Sequence, residues 1–153
     1  MSQYGQTRRP NHGGGYSNRD EISLGSKDRE NISSIIMDGF RKSGMDLTEQ
    51  IGLNIKDVTS SQIRIAYGEV TRLKMKEDVP IGEVLLLKPK LAYAAGRATS
   101  HKDKYKYLRD VISHAVDVTC DESIDKDEQN KRFKNLAAFF EAILAYHKAS
   151  GGK

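Results

Sequence analysis

The sequence has no tryptophan, one cysteine and three prolines. The lone Cys120 excludes an intrachain disulfide and fits a reducing compartment. No stretch approaches the ~18 consecutive apolar residues of a membrane span, and the first residues hold no apolar segment of the secretory type. A cytoplasmic protein without a membrane partner is therefore expected. Strand signals are also missing, since no run alternates β-branched and polar residues.

The chemistry-bearing patterns are equally sparse. His12, His101, His114 and His147 share no metal-ligand spacing, and there is no Cys-x-x-Cys. Each histidine is expected to have a surface or capping role. His114 precedes Cys120 by six residues and faces elsewhere on a helix, so Cys120 reads as a small buried thiol. The stretch Gly39-Phe-Arg-Lys-Ser-Gly44 imitates the start of a P-loop. It continues with Met45 and Asp46 where a lysine and a hydroxyl residue are required. Asp121, Asp125 and Asp127 lack the twelve-residue calcium-loop pattern. No enzyme, metal, cofactor or small-molecule substrate is expected.

What is present is an ordinary globular composition: 153 residues, 37% hydrophobic, 30% charged, mean hydropathy −0.63. That length makes about one domain. Residues 1–27 read as a disordered Gly/Arg-rich arm, with Gly13, Gly14 and Gly15 beside Pro10 and few large aliphatics. From residue 28 to 153 the period is helical. Ile32, Ile35, Ile36 and Phe40 share one face, with Gly44 as the expected stop. Residues 45–58 read as loop with a helical turn, because Gly52 and Asn54 weaken the pattern.

Thr59-Ser60-Ser61-Gln62 matches a capping box opening a helix with Ile63, Ala66, Tyr67 and Val70 on its apolar face. Residues 81–98 carry the stripe Val84, Leu87, Leu91 and Ala95. Pro89 in their middle either kinks one helix or begins a second at its first position. A helix over about 102–119 and another over about 126–148 follow. The latter buries Phe133, Leu136, Ala137, Phe140, Ile143 and Leu144. The fold class expected is a compact all-α bundle of about five helices.

The net charge of +4 is mild, but its distribution is not. Residues 82–109 hold seven cations against two acids, whereas residues 110–130 hold seven acids against Lys126 alone. Lys88, Lys90, Arg97, Lys102, Lys106 and Arg109 fall within one pair of helical segments. Tyr93 lies one turn from both Lys90 and Arg97. Cations beside an exposed aromatic suit phosphate contact with base or ribose stacking. Arg64, in the first turns of the capped helix, is a further candidate. The bland alternatives are a solvated charged face with Tyr93 in the core, and a solvated acidic loop over 117–128.

The segment "LLKPKLAYAAGR" (86–97), the terminal "FFEAILAYHKASGGK" (139–153) and "SSQIRIAYGEVTRL" (60–73) together resemble the small subunit of type III-A CRISPR effector complexes, the Csm small-subunit family. The matches span roughly residues 59–148, and the arm has no counterpart. The resemblance implies an all-α subunit without catalytic activity. Several copies stack beside other Csm-type subunits and help to hold guide RNA and target RNA through the backbone. By motif it implies Arg64, Lys88, Lys90 and Arg97 as phosphate contacts, with Gln62 as a cap. Lys102, Lys106 and Arg109 rest on charge alone, and Tyr93 on its spacing to cations. The competing reading is a pure protein–protein scaffold, in which the basic hairpin of one copy meets the acidic loop of the next.

Overall fold

The computed structural model describes residues 22–152, so residues 1–21 of the expected arm lie outside the described residues. Seven helical segments and no strand occur among the described residues: α1 (Ser26–Asp38), α2 (Lys42–Asn54), α3 (Ser60–Lys74), α4 (Ile81–Leu85), α5 (Leu87–Arg97), α6 (Lys102–Thr119) and α7 (Lys126–Ala149). The all-α bundle is as expected. Ile22 and Leu24, read from sequence as part of the arm, pack against the core, and α1 has begun by Ser26.

The two additional segments arise where local propensity misleads. The first helix stops at Gly39, whose φ of +85° lies in the region that favours glycine; its N–H returns to the Ile35 carbonyl at 2.8 Å. Gly44, the expected stop, sits buried inside α2. There the stretch expected as loop is a thirteen-residue helix. A Cβ at Gly44 would stand 2.7 Å from Ile35 Cγ1, and one at Gly52 2.5 Å from Tyr146 Cβ. These glycines let α2 lie close against α1 and α7. Packing of that kind outweighs the ~1 kcal/mol that each glycine costs a helix.

Thr59 is the N-cap of α3, but the expected capping box does not form: no side-chain cap bond is made there. The Thr59 amide, which Gln62 was expected to satisfy, donates instead to Tyr105 Oη at 3.4 Å. Gln62 is thereby left exposed. The chain breaks at Leu86, between α4 and α5, and Pro89 is the third residue of α5 rather than its first. The physical reason is as expected, because the opening amides of a helix have no intrahelical acceptor and a missing N–H is free of cost there.

α7 is the spine. Phe133, Phe139 and Phe140 are fully buried along it, and the Phe140 ring meets Tyr67 of α3 at a centroid distance of 5.7 Å. Asp125 caps it by accepting from the Glu128 amide at 2.8 Å. Arg132 donates to the Val118 carbonyl at 2.9 Å and to Glu128 at 3.1 Å, tying α7 to the end of α6. His147 corrects the expectation of a surface or capping role: it is fully buried, and its ring bonds to the loop residue Val58 rather than to a helix end. Its Nε2 lies 2.7 Å from the Val58 carbonyl, which can only accept, so Nε2 carries the proton and Nδ1 has no partner. α5 packs on α6 and α3, and its remaining side faces out.

Candidate nucleic-acid interface

α5 presents Lys90, Tyr93, Ala94 and Arg97 along one side, at i, i+3, i+4 and i+7. That side forms a groove with the Gln62, Ile65, Ala66 and Glu69 side of α3, closed at one end by Tyr105 of α6. The groove volume is about 520 Å³. Leu91 and Ala66 are its buried floor; Tyr93 and Ile65, each 65% exposed, are its rims. Tyr93 is therefore a surface ring, not a core residue. The guanidinium carbon of Arg97 stands 5.5 Å from the Tyr93 centroid, and Arg97 Nη1 donates to Tyr93 Oη at 3.2 Å.

The lysines flanking Pro89 do different work. Lys88 binds Asp117 of α6 at 2.6 Å, and Lys90 binds Glu69 of α3 at 3.3 Å. They clamp α5 between its two neighbours. Glu69 also takes Arg72 Nη2 at 3.0 Å. The hydrogen bond from Arg72 and then that from Lys90 hold its carboxyl below the usual carboxylate range. Arg109 pairs with the adjacent Asp110 at 2.9 Å.

Lys102 and Lys106 are exposed on α6 and, among the described residues, have no ion-pair partner. Helical spacing puts Lys102 and Arg109 on either side of Tyr105, so the α6 cations continue from the mouth of the groove. Arg64 is not part of this face. It lies between Ser60, which accepts from Lys148 of α7 at 3.2 Å, and Tyr67, which packs on Phe140; this is the α7 edge of α3. The groove thus brings together Lys90, Tyr93 and Arg97; Lys102, Lys106 and Arg109 share α6 with its Tyr105, Lys88 turns toward Asp117, and Arg64 is separate.

Sequence reasoning missed Gln62 and Ile65 as groove residues. The available signal was Ile65, an isoleucine off the apolar stripe of its own helix.

Elsewhere the reactive groups are tied up. Burial, reinforced by the charge of Asp117 and opposed by Lys88, pushes the Cys120 thiol up to about 11. His114 Nε2 lies 2.9 Å from the Arg29 carbonyl and 2.8 Å from Ser33 Oγ, bridging α6 to α1. Asp121 accepts from the Ser123 hydroxyl at 2.7 Å and amide at 2.9 Å, which lowers its pKa. Among the described residues no three His, Cys, Asp or Glu side chains gather as a metal site, and no helix is long and apolar enough to cross a membrane.

A family model, Csm2 Type III-A, matches residues 42–153, from the first residue of α2 onward. No curated protein and no solved structure matches the chain. The match covers all three motifs that carried the resemblance. The chain belongs to the Csm2 type III-A family, and is a small subunit of the multi-subunit type III-A CRISPR Csm complex.

Proposed function

We propose that this subunit is a non-catalytic, cytoplasmic RNA-holding element of its complex, gripping guide RNA and target RNA by phosphate along the α5–α6 face. The observation that carries the reading is the pair Lys102 and Lys106, exposed on the helix that brings Tyr105 to the groove and without a carboxylate partner among the described residues, together with Arg97 in that groove, whose side-chain partner is the neutral Tyr93. A phosphate there gains attraction without first breaking an ion pair. Lys90 and Arg109 flank this centre but arrive already paired, so their contribution is smaller; Lys88 and Arg64 are outlying contacts. Contacts to phosphate and sugar suit a subunit that must accept any guide sequence.

Stacking of several copies along the RNA belongs to the same proposal, since an array multiplies weak single contacts. A scaffold-only role is the alternative. It is favoured by Leu85, Leu86 and Met75, which are 40%, 52% and 86% exposed. Affinity capture of the tagged chain from its host separates the two. Guide RNA that cross-links to the captured chain itself, and does so less in Lys102→Ala/Lys106→Ala, supports RNA holding. Recovery of the other Csm-type subunits and their RNA with no cross-link to this chain, or with one that the double variant leaves unchanged, favours the scaffold.

A further inference from the structure

We infer that the groove between α3 and α5 receives one unpaired nucleobase of the bound RNA, stacked on Tyr93; this deepens, and rests on, the RNA-holding reading above. Tyr93 and Ile65 expose apolar surface that the core does not use. The residues beneath them are small or flush, Ala66 and Ala94 among them, and the space between is about 520 Å³. Shape alone would admit any flat apolar group. The polar groups narrow the choice.

Arg97 fixes the Tyr93 ring twice, through its hydroxyl at 3.2 Å and over its face at 5.5 Å, so the platform is set before a ligand arrives. Arg97 and Lys90 line the same groove, and the helical spacing of α6 continues the cations from Tyr105 to Lys102. A stacked base therefore has cations on both sides for its own phosphates. Gln62 lines the groove and is exposed; its backbone N–H donates to the Thr59 carbonyl at 3.1 Å, whereas its side chain has no hydrogen-bond partner among the described residues. The side-chain amide offers both a donor and an acceptor, which suits the edge of any base. A base inside a duplex is already stacked and paired, so the occupant is an unpaired one.

The test uses the purified full chain with two RNA probes of equal length and phosphate count. One is an unstructured oligonucleotide and the other is abasic throughout. Affinities are measured over a series of salt concentrations for the chain, for Tyr93→Ala and for Ala94→Leu, which fills the groove without touching charge. Both sites lie outside the core, and circular dichroism checks that the variants fold. The expected result is binding of the intact probe about fivefold or more tighter than the abasic one. Both variants should lose that preference while keeping the salt slope.

Equal binding of the two probes by the wild-type chain, with a normal salt slope, overturns stacking and leaves RNA holding intact. A preference that survives in both variants also overturns it, because the base then binds elsewhere. If neither probe binds, the RNA reading falls and the base site with it. A changed sedimentation coefficient in Tyr93→Ala, without any base preference, would instead make the groove a protein surface and refute the inference.

Discussion

The closeness of α2 to α7 can be measured with one methyl group. A Cβ at Gly52 would stand 2.5 Å from Tyr146 Cβ and 2.9 Å from the His147 nitrogen, part of the α7 backbone. Carbon atoms pack at ~3.5 Å or more, so Gly52→Ala forces the helices apart by about 1 Å. Overpacking costs about 1–3 kcal/mol, and a clash against helix backbone, which cannot rotate away, belongs to the upper part of that range, about 2–3 kcal/mol. Alanine returns about 0.8–1 kcal/mol through helix propensity. The net expectation is a loss of about 1–2 kcal/mol, or a fall of about 3–8 °C in Tm.

Gly68→Ala is the matched control. Gly68 lies in the interior of α3, is exposed, and a Cβ there meets nothing within 4 Å. The same substitution should therefore stabilise, by about 0.5–1 kcal/mol. Thermal and urea unfolding of both variants give the comparison. Opposite signs are the expected outcome; Gly52→Ala as stable as wild type, or matching Gly68→Ala, would refute the close crossing.

Other expectations follow from the same contacts. Phe140→Ala, at a fully buried position on the spine, should cost about 3–5 kcal/mol in urea unfolding. Cys120, with its thiol near 11, should resist iodoacetamide at pH 7.5 and react at the rate of a free thiol only after unfolding. Glu69 has a folded pKa below its unfolded value, so its stabilisation is present above the ordinary carboxylate range and lost as pH falls through the folded value. Glu69→Gln should therefore lower stability at pH 7, by no more than about 1 kcal/mol because its partners are half in solvent, and the gap should close in acid.

The long, strongly periodic segments were legible. The boundaries of α6 match the sequence expectation, and those of α7 do so within a residue, because apolar spacing, an acidic first turn and Asp125 all point the same way. α2 was hidden because its two glycines read as weakness, whereas their function is contact with residues of other helices. The capping box was a genuine local signal overridden from a distance, by Tyr105 forty-six residues away. The cationic face was visible as composition. Which cations are committed was not: Lys88 finds Asp117 twenty-nine residues on, and only the folded chain lays α3 beside α5 to pair Lys90 with Glu69. The groove needed the same juxtaposition, so sequence reached Tyr93 and Arg97 but not Gln62 and Ile65.

The most direct test of RNA holding through phosphate is the salt dependence of RNA binding for the full chain and for Lys102→Ala/Lys106→Ala. The double variant should weaken binding alike for unrelated RNA sequences and lower the slope of log K against log salt by about 1.4–2, the loss of two phosphate contacts. An unchanged slope, or a loss confined to particular sequences, would contradict it.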